Sequence, residues 1–267
     1  MYIQKIYDSG KSREYEFCFA GRYGKKGEKR SEKRKASPEQ IKKQNQWNRK
    51  KKLRRIIEYN FDEGDVLVTL KYKRGERPSM DEVVKEFNAF RTRMRRAYKK
   101  RGSDLKYVYR IEIGKRGGVH LHVLMNYTPD ILRLVREYWK PGQANIETVY
   151  DVTNGEIADY LTKMPDGVIE GQMTLLDLKD QKKVIRCDHS RNLIIPEPEV
   201  KKFSRRTVER MIRDGIKPSE GHYIDKESIW YGVNPFTGYT HLMYKEIRSG
   251  RKGASEKPKW KEEPPWL

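Results

Sequence analysis

The sequence predicts an α+β fold, a central antiparallel sheet with flanking helices, to which a basic N-terminal helical arm and a small C-terminal extension are added. Three observations predict it. Four segments between residues 65 and 150 are β-branched or apolar with a period of two, as half-buried strands require. Three segments carry apolar residues at helical spacing, two behind Ser/Thr-x-x-Glu caps and one behind Thr128-Pro129-Asp130. Lys115-Arg116-Gly117-Gly118 joins two of the strands through a short turn, so those two form a hairpin. The order strand, helix, strand, strand, helix, strand, helix over 65–164 then gives a sheet with helices on one face and the other face open.

The elements follow in order. Glu14 to Ala20 is a short strand, broken by Gly21, Gly24 and Gly27 into a basic loop. Ser37-Pro38-Glu39-Gln40 starts a helix that runs to about Tyr59 with few apolar residues and many cations. From Lys25 to Arg55 there are 15 Lys and Arg against three Glu, a net of +12 out of the chain's +21. Charge so one-sided favours a contact with a phosphate backbone over a merely solvated face.

Asp65 to Tyr72 is a strand, bounded by Gly64 and Gly75. Ser79-Met80-Asp81-Glu82 caps a helix with Val83, Phe87, Phe90, Met94 and Ala97 inward. The cations of its last turns complement the helix dipole and need no further role. Tyr107 to Ile113 and Val119 to Asn126 are the hairpin strands. Thr128-Pro129-Asp130 starts a helix with Leu132, Val135, Tyr138 and Trp139 inward, Ala144 to Tyr150 is a strand, and Thr153-Asn154-Gly155-Glu156 caps a short helix with Ile157, Leu161 and Met164 inward. Beyond Pro165 small strands are expected over 168–178 and 182–195, a basic helix over Ser204 to Asp214, a terminal hairpin around 234–238 and a disordered tail from 248. The domains are therefore 1–60 (basic arm and helix), 61–165 (core), 166–247 (extension) and 248–267 (tail).

Composition narrows the function. Of 267 residues 36% are hydrophobic and 36% charged, and the charge of +21 fits a polyanionic partner. Two cysteines, Cys18 and Cys187, make neither a disulfide framework nor a thiolate zinc site, and a reducing cytoplasm is the expected compartment. No apolar run has the length of a signal peptide core or a membrane span. No Gly-x-x-x-x-Gly-Lys-Ser/Thr run is present, so any motor must come from a partner.

The chemistry centres on the second hairpin strand. Side chains two apart on a strand share a face, so His120 and His122 project together over the apolar Val119, Leu121, Val123 and Met125. A hairpin centred on Arg116 pairs residues whose numbers sum to 232, which sets Glu112 opposite His120 on the same face. Two imidazoles and a carboxylate make a three-ligand site with open positions for zinc, manganese or magnesium. In a basic chain the natural occupant of an open position is a phosphate oxygen. Tyr160 sits beside the apolar stripe of the short helix, and Lys163 lies one turn on. A phenol that titrates near ~10 attacks phosphate only when a cation favours its ionised form, which Lys163 would supply.

The ordered set of an apolar strand over 66–72, Glu112, His120-Leu121-His122 and Tyr160-Leu161-Thr162-Lys163 resembles the motifs of the HUH endonuclease superfamily. Within it the chain is similar to rolling-circle replication initiators of phages, plasmids and integrative elements of Gram-positive bacteria. Asn60 to Asp65, Gly21-Arg22-Tyr23-Gly24 and Asn234 to Tyr239 look like that group as well. The resemblance implies a ferredoxin-like, RNA-recognition-like sheet, Mg2+ or Mn2+ held by His120, His122 and Glu112, and Tyr160 as nucleophile forming a 5′-phosphotyrosine, with Lys163 on the scissile phosphate. It implies single-stranded DNA at an origin as partner, in a hairpin or otherwise, and a host helicase and polymerase. Lys71, Tyr72, Arg110, Lys115 and Arg116 are the expected nucleic-acid contacts, Lys71 standing where a second threonine is frequent. The rivals are a relaxase or transposase of the same chemistry, in which the tyrosine usually precedes the histidines; a non-catalytic nucleic-acid-binding sheet stacking bases on Tyr72, Tyr107 and Tyr109; and a zinc hydrolase, for which no general base is evident.

Overall fold

A computed structural model describes residues 2–19, 37–113, 118–152, 155–162, 187–233 and 239–248. These form two compact units, one of residues 1–55 with 195–267 and one of residues 56–194. Both contain an antiparallel five-stranded sheet, and five helices accompany them among the described residues. The α+β fold with an antiparallel sheet and flanking helices is as the sequence predicts. None of these helices is long and apolar enough to cross a membrane.

The second unit carries the predicted core. Its sheet has the order β6-β3-β5-β4-β7, from β3 (Val66–Tyr72), β4 (Tyr107–Ile113), β5 (Val119–Met125), β6 (Gly142–Thr148) and the short β7 (Cys187–His189). β4 and β5 pair in the register that hairpin parity requires, with Glu112 opposite His120. Helix α2 (Met80–Lys100) starts at the predicted capping box: Ser79 accepts from the Glu82 amide, and Glu82 accepts from the Ser79 amide at 2.8 Å. Such a cap contributes about 1 kcal/mol. Val83, Phe87, Phe90, Met94 and Ala97 then meet Val68, Leu70, Tyr109, Ile111, Leu121 and Val123 in one apolar core.

Helix α3 (Ile131–Tyr138) joins that core through Ile131, Leu134 and Val135, and Leu132, expected inward, is exposed. The helix begins three residues after Thr128, so the stripe at i, i+3 and i+4 starts at Ile131 and turns Leu132 outward. Helix α4 (Glu156–Thr162) buries Ala158 and Leu161, with Ile157 only partly covered. Its expected cap Thr153 and core residue Met164 lie outside the described residues, as do the strand expected over 168–178, the turn 234–238 and the tail beyond Arg248, a residue expected in the tail that instead ends a strand.

The face of the sheet away from α2 departs from the open surface the sequence suggested. Val108 and Leu124 on it are fully buried, and Arg110 and His122 nearly so. The reason was in the sequence: Val108 and Leu124 share the parity of Arg110 and His122, and two apolar side chains on that face need cover. Its margins reach solvent, at Glu112, His120 and Lys71 and along the outward residues of β6, Gln143, Asn145 and Glu147.

The first unit is a sheet of order β8-β1-β2-β10-β9, made of β1 (Tyr2–Asp8), β2 (Ser12–Phe19), β8 (Glu199–Phe203), β9 (His222–Val233) and β10 (Thr240–Arg248). The expected terminal hairpin is β9 with β10. That the first 19 residues pair with it was not expected. On one face Tyr2, Phe17, Leu242 and Tyr244 form a core with Val208 of α5 (Arg205–Asp214). On the other, Glu14 and Glu16 meet Lys51, Arg54 and Arg55 of α1 (Pro38–Asn60). Arg54 and Arg55 each lie 2.5 Å from Glu14. The reading of α1 as a free phosphate-binding helix is corrected to that extent: three of its cations neutralise two buried carboxylates.

Candidate active site

Strand pairing fixes which side chains share the second face of the core sheet. Opposed residues in neighbouring strands form rows. One row is Gln143, Lys71, His120 and Glu112; the next is Asn145, Thr69, His122, Arg110 and Cys187; the third begins at Glu147 and is apolar at Leu67, Leu124 and Val108. Chemistry-bearing residues thus occupy two adjacent rows, supported by an apolar third.

Helix α4 brings the tyrosine to these rows. The Tyr160 hydroxyl lies 2.8 Å from Nδ1 and 3.3 Å from Nε2 of His122, with the rings edge to face at 4.7 Å. Thr69, opposite His122, places its hydroxyl 3.2 Å from the same Nδ1. Nε2 of His122 is 3.4 Å from the Glu112 carboxylate, and the rings of His120 and His122 are 6.4 Å apart. Arg110 donates from Nη1 to the Tyr160 carbonyl at 2.9 Å, so its buried guanidinium ties α4 to the strand beneath it.

The electrostatics follow from burial. Burial pushes the His122 imidazole below its ordinary value, with Glu112 opposing and His120 and Arg110 adding to the effect. His122 is neutral at neutral pH, the form in which an imidazole accepts hydrogen bonds or binds a metal. Burial also pushes the Tyr160 phenol up, helped by Glu112 and Glu147 and opposed by Thr69 and Arg110. The phenol is therefore held protonated by the residues around it, and a cation beside it would be needed to favour its ionised form.

The predicted residues divide. Glu112, His120, His122, Tyr160 and Lys71 come together on one face, Lys71 directly opposite His120 and exposed. Lys115, Arg116 and Lys163 lie outside the described residues. Arg110 is 2% exposed and bonds to the protein itself, so it is not a surface contact for nucleic acid. Tyr72 lies on the opposite face, where it packs edge to face on Trp139 at 5.4 Å. Tyr107 and Tyr109, candidates for base stacking, are 3% and 4% exposed beneath Phe87 of α2. Parity with Ile111 and Ile113 carries Tyr107 and Tyr109 to the core side, and parity with Val68 and Leu70 carries Tyr72 there.

Sequence reasoning missed Thr69, Asn145 and Glu147. The outward parity of β3 would have found Thr69, two residues before Lys71. Asn145 and Glu147, 3.0 Å apart, depend on the pairing of β6 with β3, which no short turn announces.

Among the described residues no three His, Cys, Asp or Glu side chains are gathered closely enough to hold a metal ion. The donor chemistry nonetheless suits a divalent cation: a neutral imidazole, a second imidazole one row away and a carboxylate beside both. Nδ1 of His122 lies nearest the phenol, and Nε2 lies between the phenol and Glu112.

Residues 65–165 match the model of a replication-associated protein family, that of the ORF2 type. No curated protein and no solved structure matches the chain. The matched span opens at β3 and runs past α4, and so contains Thr69, Glu112, His120, His122 and Tyr160 in their chain order. Over the stretch that builds this site, the chain is similar to a family of replication-associated proteins.

Proposed function

We propose that this protein is a replication initiator that nicks one DNA strand at an origin with Tyr160, starts rolling-circle replication from the released end, and rejoins the strand by the reverse reaction. The observation that carries the proposal is the Tyr160 hydroxyl held 2.8 Å from His122 on the row next to His120 and Glu112.

The phenolic oxygen attacks the scissile phosphorus, the bond to the 3′ oxygen breaks, and a 5′-phosphotyrosine forms with a free 3′-hydroxyl. One phosphodiester replaces another, and the proton lost by Tyr160 ends on the departing 3′ oxygen. Reversal needs no nucleotide, because the ester energy is kept in the protein–DNA bond. His122 orients the hydroxyl, Thr69 hydrogen-bonds beside it, and Arg110 fixes the backbone of α4 at Tyr160. His120, His122 through Nε2, and Glu112 would hold Mg2+ or Mn2+. That ion, when bound, supplies Lewis-acid stabilisation of the phosphate charge. Lys71, exposed in the His120 row, lies where the strand's backbone would pass. A host helicase and polymerase would act on the opened strand.

The rival without catalysis is a sheet that only binds nucleic acid. It loses its stacking platform, since Tyr107 and Tyr109 lie in the core. The test is incubation with single-stranded oligonucleotides from the protein's own element and Mn2+ or Mg2+, followed on a denaturing gel. A covalent adduct is expected that disappears in chelator and in Tyr160→Phe, while Tyr160→Phe still binds the oligonucleotide. Cleavage that persists in chelator would overturn the metal assignment, and binding without any adduct would favour the rival.

A further inference from the structure

Two basic helices of the first unit use their cations differently. On α1, Lys51, Arg54 and Arg55 are matched by Glu14 and Glu16 of the sheet beneath. On α5, Val208 is fully buried and Met211 and Ile212 pack beside it against the sheet. Positions 206, 210 and 213 recur at i, i+4 and i+7, so Arg206, Arg210 and Arg213 form one stripe on the opposite side, and all three are exposed. Among the described residues no carboxylate pairs with Arg206 or Arg210. Arg213 meets the neighbouring Asp214 at 2.8 Å, an exposed pair that contributes little.

The stripe runs about 10 Å along the helix axis. With Thr207 and Glu209 the three arginines border a depression of about 330 Å³. Among the described residues no aromatic ring lines it, so they offer no stacking surface of the kind by which single strands are held. Guanidinium groups in a row without a stacking ring suit the partner with the densest line of phosphates, which is a duplex.

We propose that the outer face of α5 is a sequence-independent contact for the backbone of double-stranded DNA, separate from the Tyr160 site. It rests on the reading of that site as DNA-acting for the choice of polyanion. Of the α1 cations, Lys51, Arg54 and Arg55 are taken up by Glu14 and Glu16, whereas Arg206 and Arg210 of α5 have no carboxylate partner among the described residues.

The test measures binding of the full chain to a duplex oligonucleotide, and to one of its single strands, across a series of salt concentrations. In the triple variant Arg206→Gln, Arg210→Gln, Arg213→Gln, the slope of log K against log salt for the duplex is expected to become shallower by about 2 to 3, since each phosphate contact contributes about 0.9. The single-strand slope should change by less than about 1. The triple Lys variant, which keeps the charge, should retain the wild-type duplex slope. An unchanged duplex slope in the Gln variant, or an equal change for both ligands, would overturn the proposal. Adduct formation by the wild-type chain is read separately, so failure of the Tyr160 chemistry leaves the slope measurement intact.

Discussion

The two sheets each bury polar groups on one face, and they do so in opposite ways. In the first unit Glu14 and Glu16 are matched by Lys51, Arg54 and Arg55, and burial of the Glu14 carboxyl is outweighed by the two arginines, which hold it at about 2. In the second unit the buried cation Arg110 reaches a backbone carbonyl, and the imidazole of His122 reaches a phenol and a threonine. A charge matched by its opposite is scaffold. A face that assembles a neutral imidazole, a second imidazole, a phenol held protonated and a carboxylate at its edge is unfinished electrostatically, as the proposed phosphate and cation site requires.

His122 is where this contrast is most open to experiment. Changing His122 to Ala should lower adduct formation by about a thousandfold or more, since it removes both the proposed metal ligand and the partner of the phenol; a loss below about tenfold would show the imidazole to be structural. Arg110→Met should destabilise the second unit by about 3 kcal/mol or less and slow adduct formation roughly a hundredfold, with oligonucleotide affinity within about threefold of wild type. A drop in affinity equal to the drop in rate would instead make Arg110 a DNA contact. Glu14→Gln takes a carboxylate from two half-buried guanidinium groups, of which Arg55 keeps Glu16, and should destabilise the first unit by about 3 kcal/mol, seen as faster amide exchange in β2 and α1 but not in β3 or β5.

The smallest effect is one of pH. Glu14 falls from an ordinary 4.5 to about 2 on folding. Its folded value is depressed, so its contribution is complete above pH ~4.5 and is lost as pH falls toward 2. It amounts to about 3 kcal/mol, and amide protection in β2 should fall between pH 4.5 and 2 by more in wild type than in Glu14→Gln.

Much of the second unit was legible because its contacts are short in sequence. The capping box at Ser79, the stripe of α2 and the parity that set Glu112 against His120 are all written within a few residues or across one turn. Leu132 was misplaced because the helix start was taken a few residues early, and one position turns a helical side chain by about 100°. The first unit was legible only in pieces, such as the helix after Ser204 and the hairpin of β9 with β10, and its assembly was hidden for the opposite reason. β1 and β2 pair with strands roughly 200 residues away, and Glu14 meets its arginines 40 residues on, so α1 looked free of partners. Arg110 carried no sign of its burial either; only the apolar neighbours Val108 and Leu124 on its face implied a cover.

The proposed chemistry converges on one atom, the phenolic oxygen of Tyr160. Proteolysis of the covalent protein–DNA species followed by peptide mass analysis reads that atom without intermediaries. The modified peptide is expected to contain residues 156–162 and to carry the 5′ phosphate of the cut strand on Tyr160. Modification on another tyrosine, the exposed Tyr150 being the nearest in sequence, would take the nucleophile away from α4 and overturn the assignment.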